Sequence, residues 1–146
     1  GIRGAFNLRD ADMIGKSDTY ASIGLLDSEN SILESNSKTK TVNDGESPVW
    51  MEGFSYLIDK EVAKAAIHVY DEDTFSSDDS LGMITFPLNN GIFENIHATI
   101  EEGSGEILYD TRCYNLKPYH IGADALPDVI SKFQTLDYYF LMFFYY

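Results

Sequence analysis

Cysteines and secretory signals are scarce in this chain of 146 residues. One cysteine, Cys113, excludes a disulfide within the chain, and no Asn-x-Ser/Thr glycosylation acceptor occurs. No signal peptide is visible either. Together these absences predict a cytoplasmic setting, because thiols stay reduced there.

Basic residues are also few. Ten Lys and Arg residues stand against 24 Asp and Glu residues, which gives a formal net charge of -14. This balance argues against a nucleic-acid partner and against constitutive attraction to anionic lipid, because both surfaces are negative. A membrane could be approached only if the charge were reversed locally.

Catalytic motifs are missing from the sequence. It contains no Gly-x-Ser-x-Gly nucleophile elbow, and its three histidines show no metal-ligand spacing. The segment Gly15-Lys16-Ser17 lacks the earlier glycine of a phosphate loop. We therefore expect that the chain is not an enzyme; its oligomeric state is not predicted.

Alternating β-rich segments dominate the first two thirds of the chain. Strands are predicted at Ile2–Phe6, Tyr20–Leu26, Lys38–Val42, Trp50–Ile58, Ala65–Tyr70, Met83–Leu88 and Gly105–Leu116, with turn-rich segments between many of them. Short strands at regular spacing are typical of an antiparallel sandwich or barrel. Trp50 is expected to anchor its strand against the core.

The C-terminal third predicts a separate extension. Apolar residues recur at roughly helical spacing between residues 124 and 144, and Tyr138–Tyr146 is entirely apolar or aromatic. This closing run is too short for a membrane-spanning helix, which needs about 20 residues. We predict a domain at 1–116 and an extension of unknown role at 117–146. The closing run is interpreted as a packed terminal helix or strand, with a truncated membrane segment as the alternative.

Two acidic segments follow strand-like sequence. Loop one, residues 10–18, reads Asp-Ala-Asp-Met-Ile-Gly-Lys-Ser-Asp, and loop three, residues 71–79, reads Asp-Glu-Asp-Thr-Phe-Ser-Ser-Asp-Asp. Carboxylates gathered at one end of a fold repel one another unless a cation lies between them, and Ca²⁺ takes 6–8 oxygen ligands. An EF-hand loop starting at Asp71 is excluded, because Ser76 and Gly82 stand where Gly and Glu are required.

An ordered series of motifs resembles the C2 domain family, which is found in synaptotagmins, protein kinase C and ferlins. The series runs from about Gly1 to Leu88 and consists of Asn7-Leu8, Asp12, Gly15, Ser17-Asp18, Tyr20, Lys38-Thr-Lys-Thr, Ser47-Pro-Val-Trp50-x-Glu52, Val69-Tyr70-Asp71-x-Asp73 and Asp79-x-x-Gly82. The resemblance implies an all-β fold, an eight-stranded antiparallel Greek-key sandwich with its calcium loops at one end.

The resemblance also implies the residues of a Ca²⁺ site. Five carboxylates match the family's ligand positions, and Ser76 matches a position that can assist a peripheral ion; the carboxylates are Asp12, Asp18, Asp71, Asp73 and Asp79. Asp10, Glu72 and Asp78 are interpreted as flanking charge that does not coordinate the ion. The alternative is that these aspartates are solvated loop charges.

Large apolar residues in the acidic loops predict membrane contact. Met13 and Ile14 follow a predicted ligand, and Phe75 lies in the middle of loop three. We expect them to enter the lipid boundary once Ca²⁺ has cancelled the loop charge. Packing of Phe75 against the neighbouring loop is the alternative. The lysine-rich strand of many relatives is reduced to Lys38 and Lys40, which makes them a weak lipid headgroup site.

The predicted function is calcium-dependent binding to anionic phospholipid membranes by a targeting module of a trafficking or signalling protein. We expect the protein to be cytoplasmic and to become peripherally membrane-bound when calcium rises. Two alternatives stay open: a C2-like domain that binds a protein partner, with structural or vestigial calcium sites, and a module of a lipid-acting enzyme.

Overall fold

Strands form where the sequence alternates between buried and exposed side chains. The computed structural model describes residues 1–9, 17–43, 45–58, 61–73, 77–115 and 139–142. Every regular element within these ranges is a strand: β1 Ile2–Phe6, β2 Thr19–Leu26, β3 Ile32–Lys38, β4 Val49–Glu52, β5 Ser55–Ile58, β6 Lys64–Asp71, β7 Asp79–Pro87, β8 Gly91–Thr99, β9 Glu106–Asn115 and β10 Tyr139–Met142. All strand pairs are antiparallel.

The smaller sheet has the order β3-β2-β6-β7. Its central pair, β2 and β6, is in continuous register from Thr19 opposite Asp71 to Leu26 opposite Lys64. In β7, Asp79 lies opposite Asp71. This register brings the C-terminal end of loop one and both ends of loop three together at one end of the sheet, where β2, β6 and β7 begin or end.

The larger sheet is built around β9. One edge of β9 pairs with β8, and along the other edge β1 and β10 lie end to end, opposite residues 106–109 and 112–115 respectively. On the far side of these two strands, β4 pairs with β1 and β5 pairs with β10, so β4 and β5 also share one position in the sheet. The ten described strands therefore occupy eight positions, four in each sheet. The expected all-β antiparallel fold is confirmed.

The inner faces of the two sheets form one apolar core. Ile23 and Ile67 of the smaller sheet and Ile107 and Tyr109 of the larger sheet belong to it, and the side chains of these residues are almost wholly buried. Trp50 is also buried, and its indole N–H donates a hydrogen bond to the Thr19 carbonyl at 3.2 Å. The expected anchoring role of Trp50 is confirmed.

Two predicted strands are placed differently in the structure. Of the segment 38–42, only Lys38 belongs to a strand, and Val42 forms an isolated bridge with Thr19; the chain pairs with β2 earlier, at Ile32–Lys38, because a tight turn follows β2. In that turn the Asp27 carboxylate accepts the backbone N–H groups of Glu29 and Ser31. The predicted strand Trp50–Ile58 is divided into β4 and β5, and Met51 has a positive φ of 54° before the break.

The C-terminal segment contributes a strand to the sheet. Residues 139–142, for which a helix was one interpretation, form β10 and pair with both β9 and β5. Of the two interpretations, helix or strand, the strand holds for these four residues, because their backbone pairs with the edges of β9 and β5. Residues 116–138 and 143–146 lie outside the described part of the chain, and the domain boundary at residue 116 stays a prediction.

The larger sheet ends at β8, whose side chains are mostly exposed. A β-bulge interrupts its pairing with β9 between Phe93 and Ile96, and Asn95 has a positive φ of 55° there. The Asn95 backbone N–H donates to the Asp110 carboxylate at 2.7 Å, and Glu94 forms an ion pair with Arg112 at 2.7 Å. The bulge is thus held by specific polar contacts.

Candidate functional site

The ends of the two acidic loops meet directly. The backbone N–H of Asp18 donates a hydrogen bond to Oδ1 of Asp71 at 2.8 Å, and the backbone N–H of Glu72 donates to the Asp18 carbonyl at 2.7 Å. The second bond extends the β2–β6 backbone pairing beyond the Thr19–Asp71 pair, and the first adds a bond to a side chain at the same place. Strand pairing therefore fixes loop one against loop three.

The described ligand candidates lie at this end of the sandwich. Asp71 is buried, with 2% of its surface exposed, whereas Asp79 opposite it is exposed. Asp73 follows β6 by two residues and is half-buried, as is Asp18. Asp12 and Ser76 lie outside the described residues, and so do Met13, Ile14 and Phe75.

The chemistry of the candidate site fits a hard divalent cation. Its side-chain donors are carboxylate oxygens, which suit Ca²⁺ far better than they suit soft metals. Among the residues that the structure describes, no group of three His, Cys, Asp or Glu side chains is placed to hold a metal ion. The described residues thus supply the alignment of the two loops.

Asp78 has a defined structural role beside these candidates. Its Oδ2 atom accepts a hydrogen bond from the Tyr20 hydroxyl at 2.7 Å, and its Oδ1 atom accepts the backbone N–H of Asp73 at 3.2 Å. The Tyr20 bond, with the Asp73 bond, holds the pKa of Asp78 below its ordinary value. Burial, with the same bond to Asp78, raises the pKa of Tyr20. The sequence analysis missed this contact, because nothing in sequence spacing links Tyr20 to Asp78.

Glu72 and Lys38 neutralise each other next to the loops. The Lys38 ammonium lies 3.4 Å from Glu72 Oε1, and the Thr41 hydroxyl donates to Glu72 Oε2 at 2.7 Å. Lys38 Nζ also lies 4.4 Å from the centroid of the Tyr20 ring, a cation–π geometry. Lys40 is exposed, and its backbone N–H donates to Glu52 at 2.7 Å. Of the two predicted headgroup lysines, Lys38 thus already has acidic and aromatic partners.

A groove of about 610 Å³ covers the outer face of the smaller sheet. Its aromatic floor is a stack in which the Tyr20 and Tyr70 centroids lie 5.3 Å apart and the His68 and Tyr70 centroids 4.3 Å apart. The Tyr70 hydroxyl lies 3.1 Å from His68 Nδ1, and Ser80 Oγ lies 2.7 Å from His68 Nε2. Tyr20 and Ser80 thus link this stack to loop three and the start of β7.

In the part of the chain that the structure describes, no helix is long and apolar enough to span a bilayer.

Comparisons with known proteins identify the family. The C2 domain model matches residues 1–103. Synaptotagmin-4 of Arabidopsis thaliana is 31% identical over 86 residues, which cover 58% of this chain and 14% of that protein. A calcium-dependent lipid-binding protein of Arabidopsis thaliana is 33% identical over 87 residues, which cover 59% of this chain and 16% of that protein. The chain thus spans a small part of the length of these relatives.

A solved structure supports the same assignment. Human GIVD cytosolic phospholipase A2, in complex with a fluorophosphonate inhibitor and terbium chloride, is similar with a TM-score of 0.57 and 28% identity. The similar region covers 75% of this chain and 15% of the phospholipase chain. Because the family model matches well over half of the sequence and the fold agrees with it, the chain belongs to the C2 domain family.

Proposed function

We propose that this C2 domain binds anionic phospholipid membranes in a calcium-dependent manner through the end of the sandwich that carries loops one and three. The observation that carries the proposal is the hydrogen bond from the Asp18 backbone to the Asp71 carboxylate, which joins the two acidic segments. A relative named as a calcium-dependent lipid-binding protein and a similar structure that contains terbium chloride support it.

The proposed Ca²⁺ ligands are Asp18, Asp71, Asp73 and Asp79, together with Asp12 and the peripheral Ser76 outside the described residues. The pairing of β2, β6 and β7 supports the proposal, because it brings the described ends of loops one and three to the same end of the sandwich. Bound Ca²⁺ would supply positive charge that offsets their repulsion. Coordination positions that the protein leaves open could then be filled by lipid phosphate, so lipid and calcium should each raise the affinity of the other.

Membrane contact is proposed for Met13, Ile14 and Phe75. Each could contribute roughly 1.5–3 kcal/mol if it were fully buried in the lipid boundary. The chain carries a net charge of -14, so the same loops should be repelled by anionic lipid when calcium is absent. The proposed location is therefore the cytoplasm at low calcium and the membrane surface at high calcium.

Sedimentation with liposomes tests the proposal. The parent protein should co-sediment with vesicles of phosphatidylserine and phosphatidylcholine in calcium, and it should stay in the supernatant in chelator. Asp73→Asn should require several-fold more calcium while it keeps the parent's unfolding temperature, because it removes one proposed ligand and one like charge. Glu29→Gln is the matched control, since it removes the same charge from the exposed turn at the far end of β2. Sedimentation that is indifferent to calcium would contradict the proposal.

A protein-binding C2 domain with structural or vestigial calcium sites is the second candidate. The observation that favours it is a concave surface outside the acidic loops, the groove of about 610 Å³ over the smaller sheet with its aromatic floor. Calorimetric titration of calcium, with and without liposomes, separates the two functions. Only a membrane-binding domain should show strong mutual enhancement.

A module of a lipid-acting enzyme is the third candidate, because a phospholipase is among the similar structures. The phospholipase chain is far longer than this one, and this sequence offers no nucleophile elbow. A lipid hydrolysis assay on the chain should therefore give no activity above the buffer rate.

A further inference from the structure

Both carboxylate oxygens of Asp78 are used within the protein. Oδ2 accepts the Tyr20 hydroxyl at 2.7 Å, and Oδ1 accepts the Asp73 backbone N–H at 3.2 Å. The second bond joins residues 73 and 78 and so closes loop three across its base. The first bond ties the closed loop to β2. We refer to these two hydrogen bonds together as the Asp78 clasp.

Packing holds Tyr20, whose hydroxyl is a donor in the Asp78 clasp, in place. Tyr20 is 8% exposed, and its ring contacts residues on both strands that flank β2: the Lys38 ammonium of β3 at 4.4 Å and the Tyr70 ring of β6 at 5.3 Å. A ring packed in this way loses little further freedom when its hydroxyl forms a hydrogen bond, so the bond can hold Asp78 in one place.

A second contact holds the chain on the other side of Asp79. The Ser80 hydroxyl lies 2.7 Å from His68 Nε2, and the His68 ring is stacked on Tyr70 at 4.3 Å. Asp79 therefore lies between two residues, Asp78 and Ser80, whose side chains are attached to the same aromatic stack. Its backbone is also paired with that of Asp71.

We infer that Tyr20 and Asp78 are positioning residues, which close loop three and hold Asp73 and Asp79 in place before a cation arrives. The inference rests on the proposed calcium function. A site whose ligands are held in advance loses less conformational entropy on binding, and its affinity is higher for that reason. Asp78 acts through Asp73 and Asp79, since its own oxygens accept hydrogen bonds from the protein.

Calcium titration of a mutant cycle tests the inference. Tyr20→Phe keeps the stacked ring and removes only the hydroxyl, and it should weaken calcium binding by about tenfold. Asp78→Ala should weaken binding at least as much, and the double variant should be no weaker than Asp78→Ala, because both changes break the same hydrogen bond. Glu72→Gln is the charge control: it removes a flanking carboxylate that is paired with Lys38, and it should change the affinity by less than about threefold.

Amide hydrogen exchange without calcium tests the clasp itself. The Asp73 N–H should exchange faster in Asp78→Ala and in Tyr20→Phe than in the parent, and Glu72→Gln should match the parent.

Unchanged exchange of the Asp73 N–H would overturn the clasp, whatever the calcium data show. Faster exchange with an unchanged calcium affinity would overturn the positioning role alone. A parent that binds no calcium would overturn the proposed function, and the exchange data would still show whether the clasp exists. The unfolding temperature of each variant, measured in chelator, separates these effects from a general loss of folding.

Discussion

Asp18 and Asp71 are 53 residues apart in sequence, yet the backbone N–H of Asp18 lies 2.8 Å from Oδ1 of Asp71. The bond makes a buried carboxylate serve the fold as well as the proposed metal site. In many acidic clusters the side chains only face solvent, but here one of them is an integral part of the sheet end.

Replacing Asp71 should separate its structural role from its charge. Asp71→Ala leaves the Asp18 N–H without this acceptor and should lower the free energy of unfolding by about 1–3 kcal/mol. Asp71→Asn keeps an oxygen acceptor at the same place and should cost less. Both variants lose the same charge, so the charge effect cancels in their comparison. Urea unfolding in chelator measures the difference, and equal losses for the two variants would contradict the structural role of the bond.

A side chain added at Gly82 should destabilise the fold. Its φ is +111°, and an added Cβ would lie 2.7 Å from the Glu101 carbonyl oxygen. Gly82→Ala should therefore lower the free energy of unfolding by about 1–3 kcal/mol. Gly24 in β2 is the matched control, because its nearest neighbour would be 3.9 Å from the new Cβ and its φ is ordinary. Gly24→Ala should be neutral within about 1 kcal/mol. If both variants had the same stability, strain at Gly82 would be refuted.

His68 should make the fold less stable in mild acid. Burial lowers the pKa of His68 below its ordinary value. The unfolded chain therefore binds the proton more readily, so the contribution of His68 to stability is complete above the unfolded pKa of about 6.5 and is lost as the pH falls through the lower folded pKa. Between about pH 7.5 and about pH 5, the parent should lose more stability than His68→Gln. His97, which lies 3.4 Å from Glu106, is present in both proteins, so its contribution cancels in the comparison. A parent that is no more acid-sensitive than the variant would show that His68 is not the cause.

Much of the fold follows from local patterns in the sequence. Ile2–Phe6 and Tyr20–Leu26 alternate clearly, and the structure has strands there. The third strand was misplaced, because Lys38–Val42 has the more β-like composition and the pairing that follows the Asp27 turn is decided by contact with β2. The division between β4 and β5 depends on backbone conformation at Met51, which side-chain patterns do not reveal.

The candidate site was predictable only in part. The proposed ligand set comes from the resemblance of loops one and three to the family's motifs, and strand register explains why the described ends of the two loops meet. The Asp78 clasp depends on where a tyrosine ring on one strand points relative to a loop that follows another strand. Such a contact is a property of the packed sheet, so no spacing rule could have located it.

The β-bulge in β8 affects how neighbouring copies of the domain can pair along this edge strand. A sheet that ends in a long, regular strand offers unpaired N–H and C=O groups to any neighbour, whereas the kink at Asn95 and the Glu94–Arg112 pair make that edge irregular and charged. Copies of the domain held close together should therefore not pair with one another along this strand.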